Sequence, residues 1–327
     1  MRGSNENMEE VTTNTIDSQL RPKSLADYIG QEKAKKSLEL FINAAKKRKE
    51  SAEHLLFYGP PGIGKTTLAH ILANELNGEI KITSGPAIER SGDLAAILTN
   101  LKDGDILFVD EIHRLPKPVE EALYPVLEEY HLDIILGKGP AARTVRLPVP
   151  KITVIGATTR IAMLSSPLRD RFGLILRLEY YNLTEIKDII MRNAKLMNIE
   201  IDKEAATEIA KRARNTPRIA NRILKRSRDL LHTQPYKKIS RELVDELWGI
   251  LEIDSEGLFI QDREYLKTLI EKFNGGPVGV ETLATALSED KQTVEDFLEP
   301  FILQLGFIQR TSKGRMATRK AYAHLKI

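Results

Sequence analysis

The sequence predicts an α/β protein built on a parallel sheet with helices on both faces, followed by two smaller units. Three observations carry that expectation. HLLFYG runs from an apolar stretch into glycines and then into the helical pattern TTLAHILANEL, which is a strand, a loop and a helix. Further apolar runs, ILFVD at 106–110, ITVIGATT at 152–159 and LILRLEYY at 174–181, alternate with helical patterns, as strands of a parallel sheet do. After Tyr181 the strand patterns stop, and none returns until the last residues.

Taken in order, residues 1–19 are polar and acidic with no apolar core of a signal peptide, and read as a disordered leader. LADYIGQEKAKKSLELFINAAKKR has helical spacing and leads into the first strand. The stretch EIHRLPKPVEEALYPVLEEY after the second strand reads as helical but broken by prolines. Between the second and third strands, residues 132–149 have β-rich arms around Gly-Lys-Gly-Pro and read as an inserted hairpin. Residues 182–254 hold several helical patterns and form an all-α unit. Residues 255–327 combine short helices with a tail that alternates around Ser-Lys-Gly; three helices and a hairpin outline a winged helix. The expected domains are therefore 20–181, 182–254 and 255–327.

Composition narrows the function. A chain of 327 residues has room for two or three cores. It contains no cysteine, which excludes disulfides and thiolate chemistry and fits a reducing, cytoplasmic setting. No apolar run approaches the roughly 20 residues of a membrane span. The formal net charge of +3 does not by itself require a nucleic-acid partner. His54, His70, His113 and His131 lack the spacing of metal ligands, although His113 follows an acidic pair.

The chemistry concentrates at strand ends. Gly59-Pro-Pro-Gly-Ile-Gly-Lys-Thr66 matches the phosphate-binding loop pattern and lies between a strand and a helix, as its mechanism requires. Gly62 and Gly64 let backbone N–H groups turn toward phosphate oxygens, and the helix N-terminus adds a favourable dipole. Lys65 is placed to reach the β- and γ-phosphates of ATP, and the Thr66 hydroxyl to ligate Mg²⁺. Asp110 and Glu111 close the second strand, the first suited to the Mg²⁺ shell and the second to accepting a proton from the attacking water. A solvated strand end would carry the same acidic pair, and its position after a phosphate loop is what singles it out. Thr158 and Thr159 end the third strand, where one of them could orient water or sense the γ-phosphate; threonines also simply favour strands. Arg169 and Arg171 share one short segment, either as an ordinary salt-bridged loop or as a source of positive charge for a neighbouring subunit's phosphate. Arg218, in TPRIANR, has the same two readings.

Charge is unevenly spread in the last unit. Residues 292–305 carry Glu295, Asp296 and Glu299 and no base, whereas the tail after Gly306 carries Arg310, Lys313, Arg315, Arg319, Lys320 and Lys326 and no acid. A winged helix so charged has an unfavourable groove-reading helix and a hairpin suited to phosphates, which predicts backbone contacts without sequence readout.

Together LRPKSLADYIGQ, GPPGIGKTTLA, SGPAIERSGDLAAILTNL, FVDEIHRL, YPVLEEYHLDIILGKGPAART, IGATTR, SSPLRDRFG, RARNTPRIANR, KFNGGPVG and QRTSKGRMAT resemble the AAA+ superfamily, and within it the RuvB family of Holliday-junction branch-migration motors. The resemblance covers nearly everything from Leu20 onward. It implies an AAA+ core, a helical lid and a winged-helix head. It makes Lys65, Thr66 and Thr67 phosphate-loop residues, Asp110 and Glu111 the acidic pair, Thr158 or Thr159 the first sensor, Arg171 a trans-acting arginine finger and Arg218 the second sensor. Leu20, Arg21 and Tyr181 fall where the family touches ATP, and Arg310 and Arg315 where its wing touches DNA. By the same resemblance the chain would be an ATP-dependent helicase acting as a hexamer on duplex and Holliday-junction DNA in recombination, repair and the SOS response. It would dock RuvA through the 132–149 hairpin and work with the RuvC resolvase. The competing readings are a clamp-loader-like or initiator-like ATPase that loads proteins onto DNA, and a non-catalytic ATP-sensing scaffold.

Overall fold

The computed structural model describes residues 19–48, 50–136 and 143–327; residues 1–18, most of the expected leader, residue 49 and residues 137–142, with the expected Gly-Lys-Gly-Pro turn, lie outside the described residues. The chain forms two compact units, one reaching to Glu185 and including Thr216–Arg218, the other made of Ile186–Asn215 and Ile219–Ile327.

The first unit is organised by five parallel strands in the order β2-β3-β6-β1-β7. They are β1 (Leu55–Tyr58), β2 (Ile80–Ser84), β3 (Ile106–Asp110), β6 (Thr153–Thr158) and β7 (Leu174–Arg177). β1 lies between β6 and β7, with Leu55 opposite Ile155 on one side and Leu174 on the other. Its residues Leu55, Leu56 and Phe57 have no solvent exposure, because helices cover both faces of a parallel sheet and force a continuous apolar run. The sequence reading found four of these strands and missed β2. IKITS sits at the sheet edge, paired only with β3, and is only partly buried, so it lacks the apolar run of its neighbours.

After β3 a 3₁₀ turn, Ile112–Arg114, precedes the helix α4 (Lys117–Glu129). Its prolines do not break it as expected. Pro116 and Pro118 fall at its start, where a missing N–H costs nothing, and Pro125 is accommodated within it. β4 (His131–Leu136) and β5 (Arg143–Pro148) form the expected antiparallel hairpin, in register from His131 opposite Pro148 to Leu136 opposite Arg143.

His54 ties these layers together. Its Nδ1 accepts from the Val154 N–H at 2.9 Å, so the proton sits on Nε2, which donates to the Leu127 carbonyl at 3.0 Å. Burial pushes its pKa down to about 4.

In the second unit the helices Lys203–Arg212, Pro217–Thr233 and Arg241–Leu251 are amphipathic, burying stripes such as Ala205, Ala206 and Ile209 of the first. The C-terminal part has its own core around Tyr265, Leu266, Leu269, Leu283, Ile302 and Phe307. It ends in the hairpin β8 (Ile308–Thr311) and β9 (Gly314–Ala317). Gly314 has φ +136, and a Cβ there would lie 2.3 Å from the Val278 carbonyl oxygen, so the hairpin requires glycine at this point. Among the described residues no helix is long and apolar enough to cross a membrane.

The low pKa of His54 fixes a pH dependence. The unfolded chain binds a proton at His54 more tightly than the folded chain, so stability falls as pH drops below about 6.5, and the loss is complete near 4. The expected loss is about 3 kcal/mol. His54→Asn keeps an acceptor for Val154 and cannot titrate; it should be less stable at pH 7 but with a flatter urea midpoint between pH 7 and 4.

Candidate ATPase site

The carboxyl ends of β1, β6 and β3 are neighbours, and each carries one part of the site. β1 passes into the glycine loop, where Gly59 N–H donates to the Thr158 carbonyl at 3.2 Å and so pins the loop to the end of β6. Gly59, Gly62 and Gly64 all have positive φ. A Cβ on Gly62 would meet Arg218 Cβ at 2.9 Å, and one on Gly64 would meet the Tyr28 hydroxyl at 2.6 Å. The loop is thus held closely from two sides.

Lys65 opens the helix α2 (Lys65–Leu76) and is 8% exposed. Its ammonium donates to the carbonyls of Gly59 at 2.9 Å and Pro60 at 2.8 Å. Burial pulls its pKa down to about 8, opposed by the field of Asp110. A buried ammonium hydrogen-bonded to neutral carbonyls is under-compensated, and a phosphate oxygen is the partner that suits it. Thr66 and Asp110 offer a hydroxyl and a carboxylate, the hard oxygen donors that Mg²⁺ takes. The residues present therefore fit both groups.

Glu111 leaves the sheet at φ 47, a left-handed conformation that disfavours a side chain with a Cβ. Its carboxylate is paired with Arg114 at 3.0 Å and is nearly half exposed. Thr158 is buried, accepts from Arg160 N–H at 2.9 Å and shares a 2.9 Å hydrogen bond with Nδ1 of His113; Thr159 is exposed. His113, noted in the sequence only for following the acidic pair, therefore links the end of β3 to the end of β6.

Arg218 comes to the loop through its backbone, donating its N–H to the Gly62 carbonyl at 3.3 Å. Tyr181 and Tyr28 share the Ile63 carbonyl at 3.2 and 3.3 Å, and their hydroxyls lie 2.8 Å apart. Leu20 is buried, and Arg21 donates to Nε2 of His70 on α2 at 2.8 Å. The segment 20–31, the glycine loop and Tyr181 are therefore knitted into one wall. Tyr28 and His70 were missed as site residues. Nothing in the sequence marked Tyr28, whose hydroxyl lies where a Cβ on Gly64 would meet it at 2.6 Å.

Arg171 is not brought to this loop. It caps the short helix α5 (Ser166–Asp170), donates to the Pro167 carbonyl at 2.7 Å, pairs with Glu128 and lies over the Tyr124 ring with its guanidinium carbon 4.3 Å from the centroid. On the second unit, the sequence treats Arg310 and Arg315 alike, and the structure separates them. The Arg310 side chain is 46% exposed and that of Arg315 only 13%. The helix region carrying Glu295 and Glu299 is not an exposed acidic face either, since Glu299 is fully buried against both arginines.

Comparison with known proteins places this arrangement. The profile of the Holliday junction DNA helicase RuvB P-loop domain matches residues 20–178, the RuvB AAA lid domain 181–254 and the RuvB C-terminal winged helix domain 255–326. The structure of the Thermotoga maritima RuvB Holliday junction branch migration motor is 50% identical, with 94% of this chain and 98% of that one covered and a TM-score of 0.86. Two mutants of the same T. maritima protein match at the same identity and coverage with TM-scores of 0.87. The chain belongs to the RuvB family. It is an AAA+ enzyme of the ATP-dependent helicase type, with a RuvB lid and a RuvB winged-helix head.

For this member of the RuvB family the state of Lys65 gives a measurable linkage. A bound phosphate favours the charged ammonium, so nucleotide binding should draw up a proton when pH is near or above 8. Affinity should be at its fullest below that pH and weaken as pH rises through it. Titration calorimetry at pH 8.5 in two buffers of different ionisation enthalpy should show net proton uptake, absent in Lys65→Arg; equal heats in both buffers would remove the assignment.

Proposed function

We propose that this chain is an ATP-driven motor that migrates Holliday junctions, working as a hexamer whose nucleotide sites are completed by neighbouring subunits. The observation that carries the reading is the adjacency of β3, β6 and β1, which gathers Asp110, Glu111, Thr159 and the glycine loop at one sheet edge. Family membership supports the DNA substrate.

In this reading Leu20, Arg21 and Tyr181 contact the nucleotide, while Gly62, Gly64, Lys65, Thr66 and Thr67 hold its phosphates. Thr66 and Asp110 hold Mg²⁺, which when bound draws charge from the phosphoryl oxygens. Glu111 accepts the proton of a water that attacks the γ-phosphorus as the bond to the ADP oxygen breaks. Thr159, the exposed member of the threonine pair, orients that water, and Thr158 with His113 fixes the strand end beneath it. Arg218 reads the γ-phosphate from the loop side. Arg171 serves the neighbour's site, which suits its distance in contacts from its own loop.

The reading divides the chain at 181/182 and 254/255 into ATPase core, lid and DNA-binding head. The head touches duplex backbone at the wing without reading sequence, and of the pair Arg310 and Arg315 the former is the more exposed. The 132–149 hairpin docks RuvA. Leu132 is buried as its root and Ile134 and Leu147 pack against the core, while Val145 is 38% exposed on the described arms. Of the apolar arm residues Leu132, Ile134, Ile135 and Leu136 that the sequence offers for docking, Leu132 is buried and does not serve, and the side chains of Ile135 and Leu136 lie outside the described residues. RuvC is the expected downstream partner, and recombination, repair and the SOS response in the cytoplasm the setting.

Lys65→Ala should reduce ATP turnover by about a hundredfold or more. Arg171→Ala should be as inactive alone, yet mixing it with Lys65→Ala should restore part of the turnover. Without restoration, Arg171 acts within its own chain. ATP-dependent migration of a synthetic four-way junction, with and without RuvA, tests the motor itself. Intact turnover with no migration in either condition would favour a protein loader.

A further inference from the structure

Arg310 and Arg315 stand directly opposite each other across β8 and β9. Like charges at that register repel, and nothing in the hairpin itself compensates them. The compensation comes from Glu299, at the start of the helix Glu299–Gln304. Its carboxylate has no solvent exposure. Both Nε (2.9 Å) and Nη2 of Arg310 donate to its Oε2. Nε of Arg315 donates to Oε1 at 2.8 Å, and the Tyr265 hydroxyl donates to the same oxygen at 3.0 Å. Arg315 is tied a second time, to Glu295 at 3.1 Å. One buried carboxylate therefore sets the direction of both guanidiniums. Arg315, with two carboxylates and little exposure, is the fixed post. Among the described residues Arg310 pairs with Glu299, and it keeps nearly half its side chain in solvent.

We infer that Glu299 is the positioning residue of the wing, aiming Arg310 at the DNA backbone while Arg315 anchors the arrangement. The inference rests on the reading of the wing as a DNA contact. Its physical content is a sign. If Glu299 acted only through its charge, removing that negative charge beside two arginines would tighten binding to a polyanion. If it positions Arg310, removal frees the guanidinium and weakens binding.

The test is duplex DNA affinity across a salt series for the full chain carrying Arg310→Ala, Glu299→Gln, Glu299→Asp, or Arg310→Ala with Glu299→Gln, each checked by circular dichroism and thermal melting. Arg310→Ala should weaken binding by about tenfold and flatten the salt slope by about one. Glu299→Gln should give a similar weakening and a similar flattening, and the double variant should be no worse than either single one. Glu299→Asp keeps the charge and shortens the reach, and should weaken binding by several-fold; it carries the test if the glutamine variant does not fold. Tighter or unchanged binding by Glu299→Gln, wild-type binding by Glu299→Asp, or multiplied losses in the double variant would each overturn the inference. Unchanged binding by Arg310→Ala would instead bring down the reading of the wing itself.

Discussion

Parallel pairing is the constraint on which the rest depends. When β3, β6 and β1 run side by side in one direction, their carboxyl ends must fall on one edge, and the chain must leave each strand there. The glycine loop, the acidic pair and the threonine pair are therefore neighbours, although long helices and an inserted hairpin separate them in sequence. The Gly59 N–H on the Thr158 carbonyl makes the neighbourhood explicit, because it continues the β1–β6 ladder one residue past the strand and into the loop. His54 performs the corresponding service at the other end, joining β6 to the close of α4 through a neutral ring.

Buried charge does the second part of the organising. Lys65 and Glu299 are both taken out of water, and each answers the cost differently. Glu299 is fully compensated by two guanidiniums and a phenol, so it fixes geometry and has no use for a further partner. Lys65 is held by two carbonyl dipoles and loses basicity to burial. Only the second group gains by meeting an anion. Burial alone thus does not mark a binding residue; the charge of the neighbours decides between a structural post and a site.

Legibility in the sequence followed the range over which each feature is determined. The phosphate loop is set by eight consecutive residues and their flanking elements, and was readable in full. The acidic pair at the end of an apolar run became legible only through the phosphate loop upstream of it. Tyr28 meets Tyr181 across most of the first unit, on a carbonyl that neither could announce. β2 escaped because an edge strand with one ladder does not need an apolar run. Charge counting marked the whole basic tail, and the family resemblance singled out Arg310 and Arg315 without distinguishing them. Their division into a post and a presented charge depends on register across β8–β9 and on one acid from a preceding helix. The same acid, counted as a surface charge in the sequence, is the most buried charge of its unit.

Arg171 brings these strands of reasoning together. It is held by the Pro167 carbonyl, the Glu128 carboxylate and the Tyr124 ring, but its buried Nε makes no hydrogen bond, so it is less fully compensated than the arginines of the wing. Yet none of its contacts belongs to the loop, the acidic pair or the threonine pair of its own chain. Glu111 meanwhile is paired with Arg114, a nearly half-exposed bond worth little, from which it is easily released. The glycine loop holds Lys65 as its own cation, while Arg171 is held against Glu128, Pro167 and Tyr124 instead. That separation within one chain is the physical support for the proposal that Arg171 serves a neighbouring subunit.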